Sequence, residues 1–159
     1  VWNRNEGRAA ALVRSLEADG LAAEVVSDLD RAVARADLIC SATMSTEPLI
    51  RGDMLKPGTH VDLVGAYTPA MREADDAALT RGRLFVDSRA TTVGHIGEVM
   101  IPMASGVISE ADIVGDMHDL VQARAGRRSS DEITVFKNGG GAHLDVMIAH
   151  AVYLALEGR

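Results

Sequence analysis

Four stretches of this 159-residue chain carry residue types able to hold an anion or lie against a flat ring. At the start, Trp2-Asn3-Arg4-Asn5 sets a guanidinium beside an amide just after an apolar run, a pairing that suits a phosphate carrying two charges. Arg4 is otherwise a solvated surface arginine. Cys40-Ser41-Ala42-Thr43-Met44 offers small side chains that let a backbone approach a ring or a phosphate closely, or pack a buried strand end. In Val64-Gly65-Ala66-Tyr67-Thr68-Pro69, Gly65 and Ala66 clear space and Tyr67 and Thr68 place hydroxyls beside it; a plain turn closed by Pro69 is the competing reading. Asn138-Gly139-Gly140-Gly141 precedes a helix, where free backbone N–H groups bind carboxylate or phosphate. Three glycines are costly to order unless something must come close, although a glycine turn ahead of a helix is common.

These stretches matter because of the elements that end at them. Apolar spacing predicts a helix over Glu6 to Asp19, stopped by Gly20, and a short one over Leu29 to Ala36. Ala23 to Val26 is a short apolar run ending in the turn residues Ser27-Asp28. Leu38 to Ala42 reads as a buried strand, followed by a loop with a helical turn at Asp53 to Leu55 and a strand over His60 to Val64. Ala70 to Arg81 has a helix composition with Met71, Ala74, Ala78 and Leu79 as its apolar face, and Leu84 to Val86 resumes as a strand. Short helices follow at Glu98 to Ala104 and Asp116 to Ala123, then a strand at Ile133 to Lys137. The last helix, Ala142 to Glu157, would bury Leu144, Met147, Ile148, Ala151, Val152 and Ala155. Alternating strands and helices imply an α/β fold with a doubly wound, mostly parallel sheet. In such sheets ligands bind beyond the carboxyl ends of the strands, where all four stretches lie.

Other chemistries find little support. His143 and His150 are seven apart, and Asp116, His118 and Asp119 cluster, but neither matches a zinc spacing, so no metal is expected. Cys40 has no basic neighbour and reads as a packed thiol rather than a nucleophile. Gly-x-Ser-x-Gly, Gly-x-x-x-x-Gly-Lys and a Gly-x-Gly-x-x-Gly after a strand are all absent from the sequence.

Composition narrows the classes further. A net charge of -7, a pI near 5.1, 3% aromatic residues and no cluster of Lys or Arg give neither the charge nor the stacking surface of a nucleic-acid binder. No apolar run approaches the roughly 20 residues of a membrane span. One cysteine forms no internal disulfide, which suits a reducing cytoplasm. The chain opens at Val1 as the tail of a strand, as a fragment would.

The sequence resembles the ornithine cyclodeaminase and mu-crystallin family along essentially its whole length. The resemblance rests on Val1-Trp2-Asn3-Arg4, Ala36-Asp37-Leu38-Ile39 with Ser41-Ala42-Thr43, Glu47-Pro48, Lys56-Pro57-Gly58-Thr59-His60, Val64-Gly65-Ala66, Arg72-Glu73, Val86-Asp87-Ser88 and Ile133-Thr134-Val135-Phe136-Lys137. It implies a Rossmann domain over residues 1–130 whose first strand and glycine-rich loop precede Val1. Residues 131–159 would be a return segment of the substrate and dimerisation domain, and the intact protein a homodimer. Asn3 and Arg4 would hold the 2'-phosphate of NADPH, with NADH a possible substitute. Ser41, Ala42, Thr43, Met44, Gly65 and Ala66 would line the cofactor's path. Tyr67 and Thr68 would face the nicotinamide or the substrate, and Asn138, Gly139 and Gly140 would meet the substrate carboxylate. Cyclodeaminases and alanine dehydrogenases of the family carry an Asp where this chain has Tyr67, a poor general base with an ordinary pKa near 10. Reduction of a cyclic ketimine, delta-1-pyrroline-2-carboxylate or its six-membered homologue, asks for less proton handling. Cyclodeaminase or alanine dehydrogenase activity, and a non-catalytic NADPH-binding crystallin-like module, are the alternatives.

Overall fold

Short polar side chains start four of the helices by accepting a main-chain N–H three residues ahead. Asn5 does so for α1 (Glu6–Ala18), Asp28 for α2 (Leu29–Arg35), Asp75 for α3 (Asp76–Arg81) and Asp116 for α6 (Met117–Val121). The computed structural model, which describes residues 1–158, also contains α4 (Arg89–Thr92), α5 (Gly97–Ala104) and α7 (Ala142–Glu157). Its strands are β1 (Leu38–Ser41), β2 (His60–Leu63), β3 (Arg83–Val86), β4 (Ile113–Gly115) and β5 (Thr134–Lys137). All pairings are parallel, in the spatial order β1-β2-β5-β3-β4. Val61, Leu63, Leu84, Val86 and Val135 form the core of the sheet, packed with Val33 of α2, Ala78 and Leu79 of α3 and Val99 of α5.

Several sequence expectations give way here, each for an identifiable reason. The helix expected from Ala70 begins only at Asp76, because Asp75 caps it and the preceding residues are bonded elsewhere. Glu73 C=O accepts from Leu49 and Ile50, and Ala74 bridges Ile50 in parallel. The strand at Leu38 is an edge strand rather than a buried one, and Leu38 is 65% exposed. Within residues 131–159, β5 pairs on both sides inside the sheet, with β2 and with β3. Met147, Ile148 and Val152, expected on a buried helix face, are exposed on α7. No strand forms at the start, yet the Val1 amine donates to Glu24 C=O at 2.6 Å and Val26 N–H donates to Val1 C=O at 2.9 Å, a parallel pairing of two stubs.

At the amino end of the sheet, His60 Nδ1 lies 2.7 Å from Thr134 Oγ1, which also accepts from Arg127. Burial is the main cause that lowers His60 below the ordinary 6.5, with Arg127 adding to it against the pull of Asp62. The unfolded chain therefore takes up the proton first, and stability contributed by neutral His60 falls as pH drops from about 6.5 through the lowered folded value. Urea unfolding of wild type and His60→Gln between pH 7.5 and 5 should show a shallower acid slope in the variant. Parallel slopes would remove His60 from the acid response.

Candidate active site at the strand tips

The registers align Ser41 with Leu63, Leu63 with Lys137 and Lys137 with Val86, so β1, β2, β5 and β3 end side by side. Three stretches far apart in the chain thereby leave neighbouring strands at one end of the sheet: Ser41 to Met44, Val64 to Thr68, and Asn138 to Gly140. The fourth comes close from the other side of β1. A gap of about 470 Å³, lined largely by apolar side chains such as Trp2, Leu12, Leu38 and Ile39, separates Val1 to Asn3 from β1, and Asn3, Ser41, Ala42 and Thr43 also border it. Arg4 is exposed next to it, and Met44 and Tyr67 also project into solvent.

What holds these tips is a residue expected inside the helix from Ala70 to Arg81. Glu73 is fully buried. Its Oε1 accepts from Ser41 Oγ at 2.7 Å, Thr43 N at 2.6 Å and Thr43 Oγ1 at 2.8 Å, while Oε2 accepts from Gly65 N at 2.7 Å and Ala66 N at 3.3 Å. The hydroxyls of Ser41 and Thr43 and the Thr43 N–H are thus engaged by Glu73. Gly65 is needed for the same contact rather than to clear room for a ligand. A Cβ there would fall inside the Thr43 backbone and 2.6 Å from Glu73 Oε1.

A second buried carboxylate holds the first residue in place. Glu98, on α5, accepts from Glu73 N at 2.7 Å and Ala74 N at 3.0 Å. Burial, above all, pushes its carboxyl above the usual range, against those two bonds and the charge of Lys137. Lys137, also fully buried, ends β5 and donates from Nζ to Leu63 C=O at 2.8 Å. Burial lowers its ammonium, and the carboxylates of Glu98, Glu73, Asp87 and Asp62 oppose that shift. Asp87 follows β3, and its Oδ1 accepts from Ser88 N and Thr92 Oγ1, both at 2.7 Å. The glycine loop packs on this group: a Cβ on Gly139 would lie 2.5 Å from Thr92 Oγ1 and 2.9 Å from Asp87 Oδ1. Gly140 adopts φ +68°, and its N–H donates to Asn138 Oδ1 at 2.8 Å, so any carboxylate at this loop competes with that bond.

Glu98 and Lys137 carried no role in the sequence reading, although a charge inside the apolar runs Gly97 to Ala104 and Ile133 to Lys137 was the available signal. Cys40, expected to be packed away, is exposed at the sheet edge. Partial burial and then Asp62 push its thiol above the usual value. Among the described residues, no group of three His, Cys, Asp or Glu is arranged to hold a metal; the His143 side chain lies outside them. No helix among them is long and apolar enough to cross a membrane.

With this geometry in view, comparison with known proteins is specific. The family model for the ornithine cyclodeaminase/mu-crystallin family matches residues 1–159. A Delta(1)-pyrroline-2-carboxylate reductase from Paracoccus denitrificans is 55% identical over 99% of this chain and 50% of its own length. The Delta(1)-pyrroline-2-carboxylate reductase of Thermococcus litoralis, solved in complex with NADH and L-proline, superposes with a TM-score of 0.93 at 30% identity, covering 99% of this chain and 50% of that one. An archaeal alanine dehydrogenase dimer with bound NAD superposes with a TM-score of 0.89 at 30% identity over 99% and 49%. The chain spans about half the length of the curated relatives it matches.

Because Gly65 abuts backbone rather than a movable side chain, Gly65→Ala should destabilise the fold by about 1–3 kcal/mol or more through overpacking. Chemical denaturation measures it. A variant as stable as wild type would mean that the two tips do not approach this closely.

Proposed function

The chain belongs to the ornithine cyclodeaminase/mu-crystallin family, and on that premise we propose that the protein reduces a cyclic ketimine acid, delta-1-pyrroline-2-carboxylate or delta-1-piperideine-2-carboxylate, to the corresponding cyclic amino acid. The observation that carries the reading is the convergence of the Ser41 to Met44 and Val64 to Thr68 tips and the Asn138 loop at the carboxyl ends of neighbouring parallel strands, where such sheets bind ligands.

When bound, a reduced nicotinamide supplies the hydride that the imine carbon needs. The residues of this chain bind and orient. Asn3 and Arg4 stand where an Arg accommodates the 2'-phosphate of NADP, and an acidic residue that would select NAD is missing from that strand end. NADPH is accordingly the favoured cofactor, with NADH admitted more weakly. Ala42, Thr43, Met44 and Gly65 form the wall along which the dinucleotide lies, with the buried Ser41 and Ala66 behind it. Tyr67 and Thr68, at the open end of that wall, face the ring to be reduced. The Asn138, Gly139 and Gly140 loop meets its carboxylate, which would displace Asn138 Oδ1 from the Gly140 N–H while the Asn138 N–H stays bonded to Leu63 C=O. A ring nitrogen that arrives protonated asks for no strong base, which agrees with Tyr67 at a place where the deaminating branch has Asp. We place α7, whose Val146, Met147, Ile148, Val152 and Leu156 are all exposed, in the surface that joins the substrate domain and a second copy in a homodimer.

The full-length gene product should oxidise NADPH in the presence of delta-1-pyrroline-2-carboxylate and form proline. Ammonia release from ornithine or alanine would instead favour the deaminating alternatives, and saturable NADPH binding without turnover a crystallin-like binder. Arg4→Ala should reduce the preference for NADPH over NADH roughly tenfold or more, the worth of a charge-assisted hydrogen bond. An unchanged ratio of kcat/KM values would remove Arg4 from cofactor selection.

A further inference from the structure

We infer that Glu73 is a positioning residue for dinucleotide binding: its buried carboxylate fixes the tips of β1 and β2 in the arrangement the cofactor meets, an inference that rests on the cofactor site proposed above. The ladder between these strands ends where Val64 N–H donates to Ser41 C=O at 2.7 Å. Beyond that bond the two chains have turned away from strand geometry, and Thr43 N, Gly65 N and Ala66 N all donate to Glu73 instead. One side chain therefore replaces the next rung of the sheet. Ser41 and Thr43, which it holds, stand at the carboxyl end of β1, where a parallel sheet meets its ligand.

Only a carboxylate satisfies this cradle. It presents two acceptor oxygens to three main-chain N–H groups and two hydroxyls. A glutamine in the same place must aim its NH2 group either at Gly65 and Ala66 or at Thr43. The Ser41 and Thr43 hydroxyls can rotate to accept, but a main-chain N–H cannot. In either orientation a donor meets donors where no water reaches. The carboxylate is held in turn, because Glu98 bonds the backbone of Glu73 and Ala74, and Lys137 places a buried positive charge among the carboxylates. Leu49 and Ile50 N–H groups both donate to Glu73 C=O, and Arg72 N–H donates to Ser45 C=O, so residues 72–73 also anchor the loop after β1. A cofactor arriving at these tips finds them already ordered. Without the carboxylate, that ordering has to occur on binding, and affinity falls by its cost.

The test compares wild type, Glu73→Gln and Leu84→Ala in the full-length gene product, at a temperature where circular dichroism shows all three folded. Leu84 is a core residue of β3 remote from both tips, so its truncation lowers Tm without touching the cradle. Amide hydrogen exchange should be at least tenfold faster at Thr43, Gly65 and Ala66 in E73Q, with Val61 and Val135 unchanged, and the Kd for NADH should rise tenfold or more. L84A should show neither effect. Retained protection at the three amides overturns the cradle, and loosened amides with a wild-type Kd overturn the positioning role. If E73Q does not fold, Glu73→Asp, which keeps the charge but loses reach, is read in the same way. Failure of the wild type to bind NADH or NADPH overturns the cofactor reading itself, while amide exchange still decides whether the carboxylate holds the tips.

Discussion

In an open parallel sheet ligands bind outside the carboxyl ends of the strands, where the ladder has ended, so a site built there needs something other than the sheet to keep its walls in place. In this protein the Glu73 carboxylate meets that constraint with five accepted hydrogen bonds, tying β1 to β2 one step past the last ladder bond. Much of the local structure follows from it. The segment before α3 must stay extended so that residue 73 can reach both tips. Gly65 must lack a side chain so that the second tip can approach the first, and α5 must carry Glu98 on its buried face to receive the Glu73 backbone.

Burying two carboxylates and an ammonium together is expensive, and an apolar replacement of similar volume often gives a more stable protein. Glu73, Glu98 and Lys137 sit nonetheless at the convergence of three strand ends, in the layer directly beneath the tips. Each spends its polar atoms on backbone: Glu98 on residues 73 and 74, Glu73 on residues 43, 65 and 66, Lys137 on residue 63. Main-chain geometry is thereby fixed by directional bonds rather than by packing alone. Where a binding surface depends on the exact course of loops, such bonds specify shape in a way that apolar side chains do not.

The α/β alternation, the parallel sheet and most helix limits were legible in the sequence, because amphipathic periodicity and capping residues such as Asn5, Asp28 and Asp75 are local signals. The strand ends were legible too, since small residues and glycines such as Ser41, Gly65 and Gly139 stand out there without a structure. What stayed hidden depends on sequence-distant partners. Glu73 looked like one residue of a helix from Ala70 until its donors at residues 41, 43, 65 and 66 came into view. Leu38 and α7 read as buried because apolar content reports a preference for burial and not the presence of a neighbour. The place of β5 in the middle of the sheet follows from strand order, which periodicity does not encode.

Hydride delivery at these strand tips is examined most directly by isotope transfer. The full-length gene product is given delta-1-pyrroline-2-carboxylate and NADPH carrying deuterium at both C4 positions of the nicotinamide, and the product is analysed by mass spectrometry and NMR. A cyclic ketimine reductase gives proline carrying one deuterium at Cα. Proline without that label, or labelled cofactor left unconsumed beside intact imine, would contradict it.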